Sequence, residues 1–370
     1  MWLALHPEFL NRLRAVFFRL QRGLLSGIVI IFVVLGLVVA YMTTYNKTHM
    51  QQNKHAFQFS PYIDLNVAVA NSVPLSNTYF SANALSLINA GAIQSLKGLK
   101  ALTLAFANGE CGKEHWGGMN AQKLATANLP ALQQAQLGYI VSTGGADGMF
   151  TCDNPQGMDV FVKRYQSSYL LGFDFNIEAH QPPEVIQKLV HEVGGAMVRY
   201  PHLRFSFTLA AIAPDDRHNS LNTTGQWVME AIAAEGLKRH VINLMVMNYG
   251  DVALGNCVVR ANQCDMAASA IRAVNNVSRR YHLPLHQIEV TPMIGMNNVT
   301  ANVFTLDDAH KLHDFAHAHG LGGLHFWSLN RDMPCSPTVT GLSATCHGLT
   351  YVQKLAFTQV LATPYPWASE

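Results

Sequence analysis

The run "LLGFDFNIEA", Leu170 to Ala179, alternates in character: Phe173, Phe175 and Ile177 are apolar, while Asp174, Asn176 and Glu178 are not. Successive side chains of a β-strand point to opposite faces, so the three polar groups share one face. In an antiparallel sheet that face would simply meet water. The rest of the chain argues for a parallel sheet instead. Strand-like runs recur at "FSPYIDLNV" (59–67), "ALTLAFA" (101–107), "LGYIVSTGG" (137–145), "SYLLGFDFNIE" (168–178), "LRFSFTLAAI" (203–212), "VINLMVMNYG" (241–250), "QIEVTPMIGM" (287–296) and "GGLHFWSLNRD" (322–332). Several are almost continuously apolar, as strands covered on both faces are.

Helical segments lie between these runs. "PPEVIQKLVHEVGGAMVRY" opens on prolines suited to a helix start. "GQWVMEAIAAEGL", "DMAASAIRAVNNVSRRY" and "TLDDAHKLHDFAHAHG" place apolar residues at i, i+3 and i+4. The last begins with Thr305 and Asp308 at capping-box spacing and ends at Gly320, a residue suited to the position after a C-cap. Strands alternating with helices imply parallel βαβ units, and eight such strands predict an α/β fold, a (β/α)8 TIM barrel. An open doubly wound sheet fits less well, because no glycine-rich phosphate fingerprint follows the first strand. In a closed barrel the polar face of 170–179 points into the lumen, where an unpaired charge is expensive.

The cysteines follow from the same topology. Cys111, Cys152, Cys257, Cys264, Cys335 and Cys346 all fall in segments that follow strands, on the presumed active face. Cys111 and Cys152 follow neighbouring strands, whereas Cys257 with Cys264 and Cys335 with Cys346 each share one loop. That makes Cys111–Cys152, Cys257–Cys264 and Cys335–Cys346 the simplest of the possible pairings. Disulfides in turn require an oxidising compartment.

Arg12, Arg14, Arg19 and Arg22 precede Gly23–Met42, a charge-free apolar run of 20 residues. A helix of that length spans about 30 Å, the hydrocarbon core of a bilayer. The predicted organisation is therefore a cytoplasmic basic segment (1–22), a transmembrane signal-anchor (23–42), a stalk (43–57) and a barrel (58–365) outside the cytoplasm. The alternative is secretion after cleavage near Ala40. Net charge is +2 and only 13% of residues are charged, and the arginines cluster near the N-terminus. This excludes a nucleic-acid binder with a basic stripe. A monomer without cofactor is expected. His313 and His317 have metal-ligand spacing but belong to an outer helix, so no metal site is expected.

Four motifs, in order and on the right strands, resemble those of glycoside hydrolase family 18, the bacterial-type chitinase group. "GFDFNIE" is similar to the strand-four signature DxxDxDxE, "STGG" (142–145) to the SxGG ending strand three, "LMVMNYG" (244–250) to the strand-six motif, and "FWSLNRD" (326–332) to the end of strand eight. The resemblance covers Ser60 to about Cys335. It implies retaining, substrate-assisted hydrolysis of β-1,4-linked N-acetylglucosamine polymers, in which the acetamide of the sugar attacks its own anomeric carbon. Glu178 is then the proton donor, and Asp174 and Asn176 lie below it on the strand. Tyr249 is expected to hold the acetamide oxygen and Trp327 to floor the sugar site. Met247, Asn248, Gly145 and Trp116 complete the expected binding set, Trp116 by stacking a sugar at the rim. Three family acids are absent here: their positions fall at Leu171, Asn176 and Asn248. An amide can accept a hydrogen bond but supplies no negative charge to a developing cation. Two alternatives stay open: a weakened or inactive barrel that binds chitooligosaccharides, and an endo-β-N-acetylglucosaminidase acting on N-glycans or peptidoglycan.

Overall fold

The computed structural model describes residues 57–70, 98–178, 181–215 and 218–364. The basic segment, the apolar run 23–42 and nearly all of the stalk lie outside them. Among the described residues no helix is long and apolar enough to cross a membrane.

Eight parallel strand positions form the sheet. β1 is broken into Gln58–Phe59 and Tyr62–Asp64. It is followed by β2 (Ala101–Ala107), β3 (Gly138–Gly144), β4 (Leu170–Asn176), β5 (Arg204–Ala210), β6 (His240–Met245), β7 (Ile288–Thr291) and β8 (Gly323–Leu324). The first piece of β1 pairs with β8 (Gln58↔Gly323) and the second with β2 (Tyr62↔Thr103). One segment thus bridges both ends of the ladder, and the sheet closes into a TIM-barrel-like fold. Closure leaves no edge strand exposed.

Besides a short helix at Leu65–Ala70, the described residues form helices α1 (Ala121–Gln134), α2 (Pro155–Arg164), α3 (Pro183–Arg199), α4 (Thr223–Ala234), α5 (Met266–Tyr281), α6 (Leu306–Ala318) and α7 (Ala356–Leu361). Local chemistry sets their ends. Thr305 and Asp308 form a complete capping box on α6. Gly320, at φ +65°, follows the C-cap, and the amides of Gly320 and Leu321 return to the carbonyls of His317 and Ala316, a Schellman pattern. α1 and α2 were not legible as helices. α1 carries Pro130 in its interior, and α2 is short and opens on Pro155 behind an Asn154 cap.

The main core lies between sheet and helices. Phe173 and Phe205, and Phe175 and Phe207, meet across β4 and β5 at centroid distances of 6.1 and 5.8 Å, and Phe161 of α2 packs on Phe173 at 4.8 Å. All are essentially inaccessible to solvent. Each such burial contributes roughly 1.5–3 kcal/mol.

The lumen is polar and layered. At its base Glu289 accepts from Arg204 Nη2 (2.6 Å) and contacts His325 Nε2 (2.9 Å), whose other ring nitrogen meets Ser60. Gly323 leaves the room: a Cβ there would lie 2.4 Å from the Gln58 carbonyl and 3.0 Å from Glu289 Oε1. Burial alone would raise the Glu289 carboxyl, but Arg204 and His325 overcome it and hold the group at about 2. A depressed carboxylate stabilises the fold above its unfolded value, and that stability is lost as pH falls through the folded one.

The three disulfides are Cys111–Cys152, Cys257–Cys264 and Cys335–Cys346, as topology suggested. The first ties the loops after β2 and β3 together. The others close the loops after β6 and β8.

Replacing Glu289 with Gln strands Arg204 in the barrel base, and the unfolding free energy is expected to drop by about 3–5 kcal/mol at pH 7. Chemical denaturation of both proteins checks this. The gap should narrow as pH is lowered from 4.5 towards 2; a gap independent of pH would contradict the assignment.

Candidate active site

Asp174 organises the middle of the lumen. It is 1% exposed. Its Oδ2 accepts from Tyr62 (2.9 Å) and Ser142 (2.6 Å), and its Oδ1 from Ser206 (2.8 Å) and Thr208 (2.6 Å). Strand register delivers these donors, since Ser142 and Ser206 sit directly opposite Asp174 on β3 and β5. Burial, and after it the Asp174 charge, pushes the Tyr62 phenol well above its ordinary value, so it remains a donor. Asn243 donates on to Tyr62 (3.0 Å) and Thr208 (2.9 Å) and accepts from Thr291 (2.9 Å). The network therefore reaches from β1 through β3, β4, β5 and β6 to β7.

Two residues further along β4, Asn176 is 4% exposed. Its Nδ2 donates to Glu178 Oε1 at 3.0 Å, and its Oδ1 is buried without a hydrogen-bond partner. Glu178 stands just beyond the strand, half-buried. Its carboxyl is raised from 4.5, chiefly by burial; the Asn176 hydrogen bond opposes the rise and the Asp147 charge adds to it. Both side chains line a cleft of about 600 Å³ at the C-terminal ends of the strands, the face where barrels of this type place their chemistry.

Trp327 lies on the floor of this cleft. It stacks on Phe106 (5.4 Å, 13° between planes), close to Tyr62 (6.0 Å). The Ala105–Phe106 and Trp327–Ser328 peptide bonds are cis. Arg331, 1% exposed, lines the wall, and its guanidinium donates to the carbonyls of Ile294 (3.2 Å), Met296 (2.6 Å) and Ser343. Burial lowers it to about 10. Ser343 belongs to the loop closed by Cys335–Cys346, so the arginine moors that loop over the cleft.

Several expected residues fall elsewhere. Tyr249 is not on the cleft. β6 ends at Met245, and Asn248 adopts a left-handed φ of 50°, which breaks the strand alternation. Met247 and Asn248 consequently both line the cleft, while Tyr249 turns inward to 1% exposure with its hydroxyl unpartnered. Asparagines hold this turn: Asn248 N–H donates to Asn297 Oδ1 (3.1 Å), Tyr249 N–H to Asn302 Oδ1 (2.6 Å), and Val299 N–H to Asn248 Oδ1 (3.1 Å). Trp116 is not a rim aromatic either. It is fully buried, donating from Nε1 to Tyr165 (2.8 Å), which donates in turn to Glu114 (3.0 Å). Gly145 lies behind the wall, where a Cβ would meet the Phe106 ring at 2.7 Å. Sequence reasoning missed Asp64, Phe106 and Asp147 as cleft residues. Asp64 and Phe106 close the ends of β1 and β2, and Asp147 sits on a turn with no periodicity to read.

No family model matches the chain. Among curated proteins it is 31% identical to the probable bifunctional chitinase/lysozyme of Escherichia coli (strain K12) over 152 residues, 38% of this chain and 17% of that protein. It is 24% identical to endochitinase 11 of Metarhizium anisopliae over 261 residues, 64% of this chain and 48% of that protein. The chain thus spans less than half the length of either curated relative. Among solved structures, active domain 2 of a thermostable chitinase from Pyrococcus furiosus, complexed as a catalytic-site mutant with chito-oligosaccharides, superposes with a TM-score of 0.62 at 26% identity, over 82% of this chain and 92% of that one. The barrel, the four ordered motifs and these likenesses converge: in sequence and fold the chain is similar to the chitinases of glycoside hydrolase family 18.

Proposed function

We propose that the chain hydrolyses β-1,4-linked N-acetylglucosamine oligomers with retention, using the substrate's own acetamide as nucleophile. The observation that carries this reading is the Asn176–Glu178 pair. The amide gives its N–H to the carboxylate and leaves a buried, unpartnered carbonyl oxygen. An unsatisfied buried acceptor costs free energy until a donor arrives. The acetamide N–H of a bound sugar is such a donor.

In this reading Glu178 protonates the glycosidic oxygen as the bond from it to the anomeric carbon breaks, and the bonding pair leaves with that oxygen. The acetamide oxygen closes on the anomeric carbon from the other side, giving an oxazolinium ion. Glu178, now a carboxylate, takes a proton from water as the water attacks the anomeric carbon and the ring opens. Asn176 Oδ1 holds the acetamide N–H and so aims its oxygen. Trp327 supports the sugar by apolar contact. Asp174 acts from below by fixing β4. With Tyr249 buried, Met247 and Asn248 form the wall where the acetamide sits.

The likenesses support the substrate class: a relative named as a chitinase/lysozyme, one named as an endochitinase, and a solved domain holding chito-oligosaccharides. Export of the barrel, anchored through 23–42, belongs to the same proposal, and three disulfides support it.

Product analysis on chitooligosaccharides tests the proposal. Glu178→Gln is expected to lose roughly 100- to 10,000-fold in kcat/KM. Tight binding without Glu178-dependent turnover would instead mark a binding barrel, and faster cleavage of glycoprotein or peptidoglycan would redirect the substrate class. The acid must be protonated, so kcat/KM should fall as pH rises through the raised Glu178 midpoint, above 4.5. Asn176→Asp is expected to speed cleavage several-fold by adding charge opposite the oxazolinium. A slower Asn176→Asp enzyme would show a site built around the amide.

A further inference from the structure

Asn176 and Asn248 leave this cleft with two amides where the resembled family places acids. A cation that forms there still needs an opposing charge, and the acid that protonates the leaving group still needs a reason to hold its proton. Among the described residues three carboxylates line the cleft: Asp64, Asp147 and Glu178. Glu178 is the donor. Asp64 is spent on backbone, its Oδ1 accepting from the amides of Asn66 (3.0 Å) and Val67 (3.4 Å). Asp147 remains.

Its placement is fixed by the turn that carries it. Gly144, at φ +82°, pairs with Asn176 across β3 and β4, and a Cβ there would lie 2.1 Å from the Asn176 carbonyl oxygen. Gly145 N–H donates to that same carbonyl (3.4 Å), and Gly148 N–H returns to Gly145 O (3.5 Å). Gly148 also abuts the Asn108 side chain. Asp147 therefore rides on a turn clamped to the backbone of Asn176, and its side chain lines the same cleft as Asn176 and Glu178.

We propose that Asp147 is a positioning residue for the reaction above: from the loop after β3 its carboxylate supplies the negative charge beside Glu178 that the amide of Asn176 lacks. The proposal rests on the hydrolytic reading for its consequence but not for its electrostatics. Asp147 adds to the upward displacement of both Glu178 and Asp64, after burial, and Asp64 reaches about 6. The other charged or titratable groups facing the cleft are His115 from the loop after β2, Tyr62 from β1 and Arg331 from the loop after β8. Arg331 is turned to backbone carbonyls.

The test is a cycle on the full chain with Asp147→Asn, Asn176→Asp, both together, and Asp147→Glu as the charge-conserving control. With chitooligosaccharide substrate, Asp147→Asn should lose about three- to ten-fold in kcat/KM near neutral pH. Its basic limb should move down by about half a unit, a modest shift because Asp147 is exposed and screened. Asp147→Glu should keep the wild-type profile. In the Asn176→Asp background the loss should shrink to under about two-fold, since the charge is already present. Equal losses in both backgrounds, or an unmoved limb, would overturn the proposal. Infrared titration of the Glu178 carboxyl, identified by its disappearance in Glu178→Gln, gives the same answer without turnover. A lower midpoint in Asp147→Asn supports the proposal and an unchanged one defeats it. An inactive wild type would sink the hydrolytic reading while leaving this measurement decisive for Asp147.

Discussion

Everything at the mouth of the barrel depends on how the Asp174 carboxylate is satisfied. A carboxylate taken from water into a packed lumen costs several kcal/mol unless donors replace the water. Here four hydroxyls do so, from Tyr62 on β1, Ser142 on β3, and Ser206 and Thr208 on β5. Hydrogen bonds to a charged group contribute roughly 1.5–3 kcal/mol each, and each binds a different part of the wall to β4. A one-residue slip of β4 would carry Asp174 out among the phenylalanines and bring Phe173 or Phe175 into the lumen. The carboxylate thus locks the register, and the register sets where Asn176 and Glu178 emerge. Asp174 shapes the cleft without lining it.

Above that layer charge gives way to amides. Asn297 and Asn302 are inaccessible to solvent and sew the loop after β6 to the hairpin Gly295–Met296 and Val303–Phe304 after β7. An asparagine can donate and accept at once, which suits it to joining two loops whose backbone groups face one another. The cost is that Tyr249 turns inward. Its hydroxyl finds no partner, and burial pushes its phenol far up. The cleft wall is left to Met247 and Asn248.

The barrel was legible because parallel strands buried on both faces read as apolar runs, and the disulfide pairing then followed from which cysteines share a loop or follow neighbouring strands. Even β8, with only Gly323–Leu324 in regular pairing, stood out, since Phe326 and Trp327 continue its direction and Trp327 bridges to Met293 beside β7. Glu178, Asn176 and Asp174 were legible because strand alternation fixes their face. Tyr249 and Trp116 were misread for one shared reason: each lies past the end of a strand, where period two stops. The left-handed turn at Asn248 and the Trp116–Tyr165–Glu114 chain are local geometries to which periodicity is blind. Asp147 went unnoticed for the same cause, carried on a turn whose shape comes from glycines clamped to a neighbouring strand.

An amide beside the acid changes more than charge. A carboxylic acid at position 176 could share a proton with Glu178, passing it over as the reaction proceeds. Asn176 has no proton to lend, and its Nδ2–H favours the ionised form of Glu178. The proton on Glu178 must therefore be kept by the dry wall around it and by negative charge from outside the strand, against the pull of its own neighbour. In the proposed hydrolysis that balance suits the second displacement, where Glu178 acts as a base. It taxes the first, where Glu178 must be an acid.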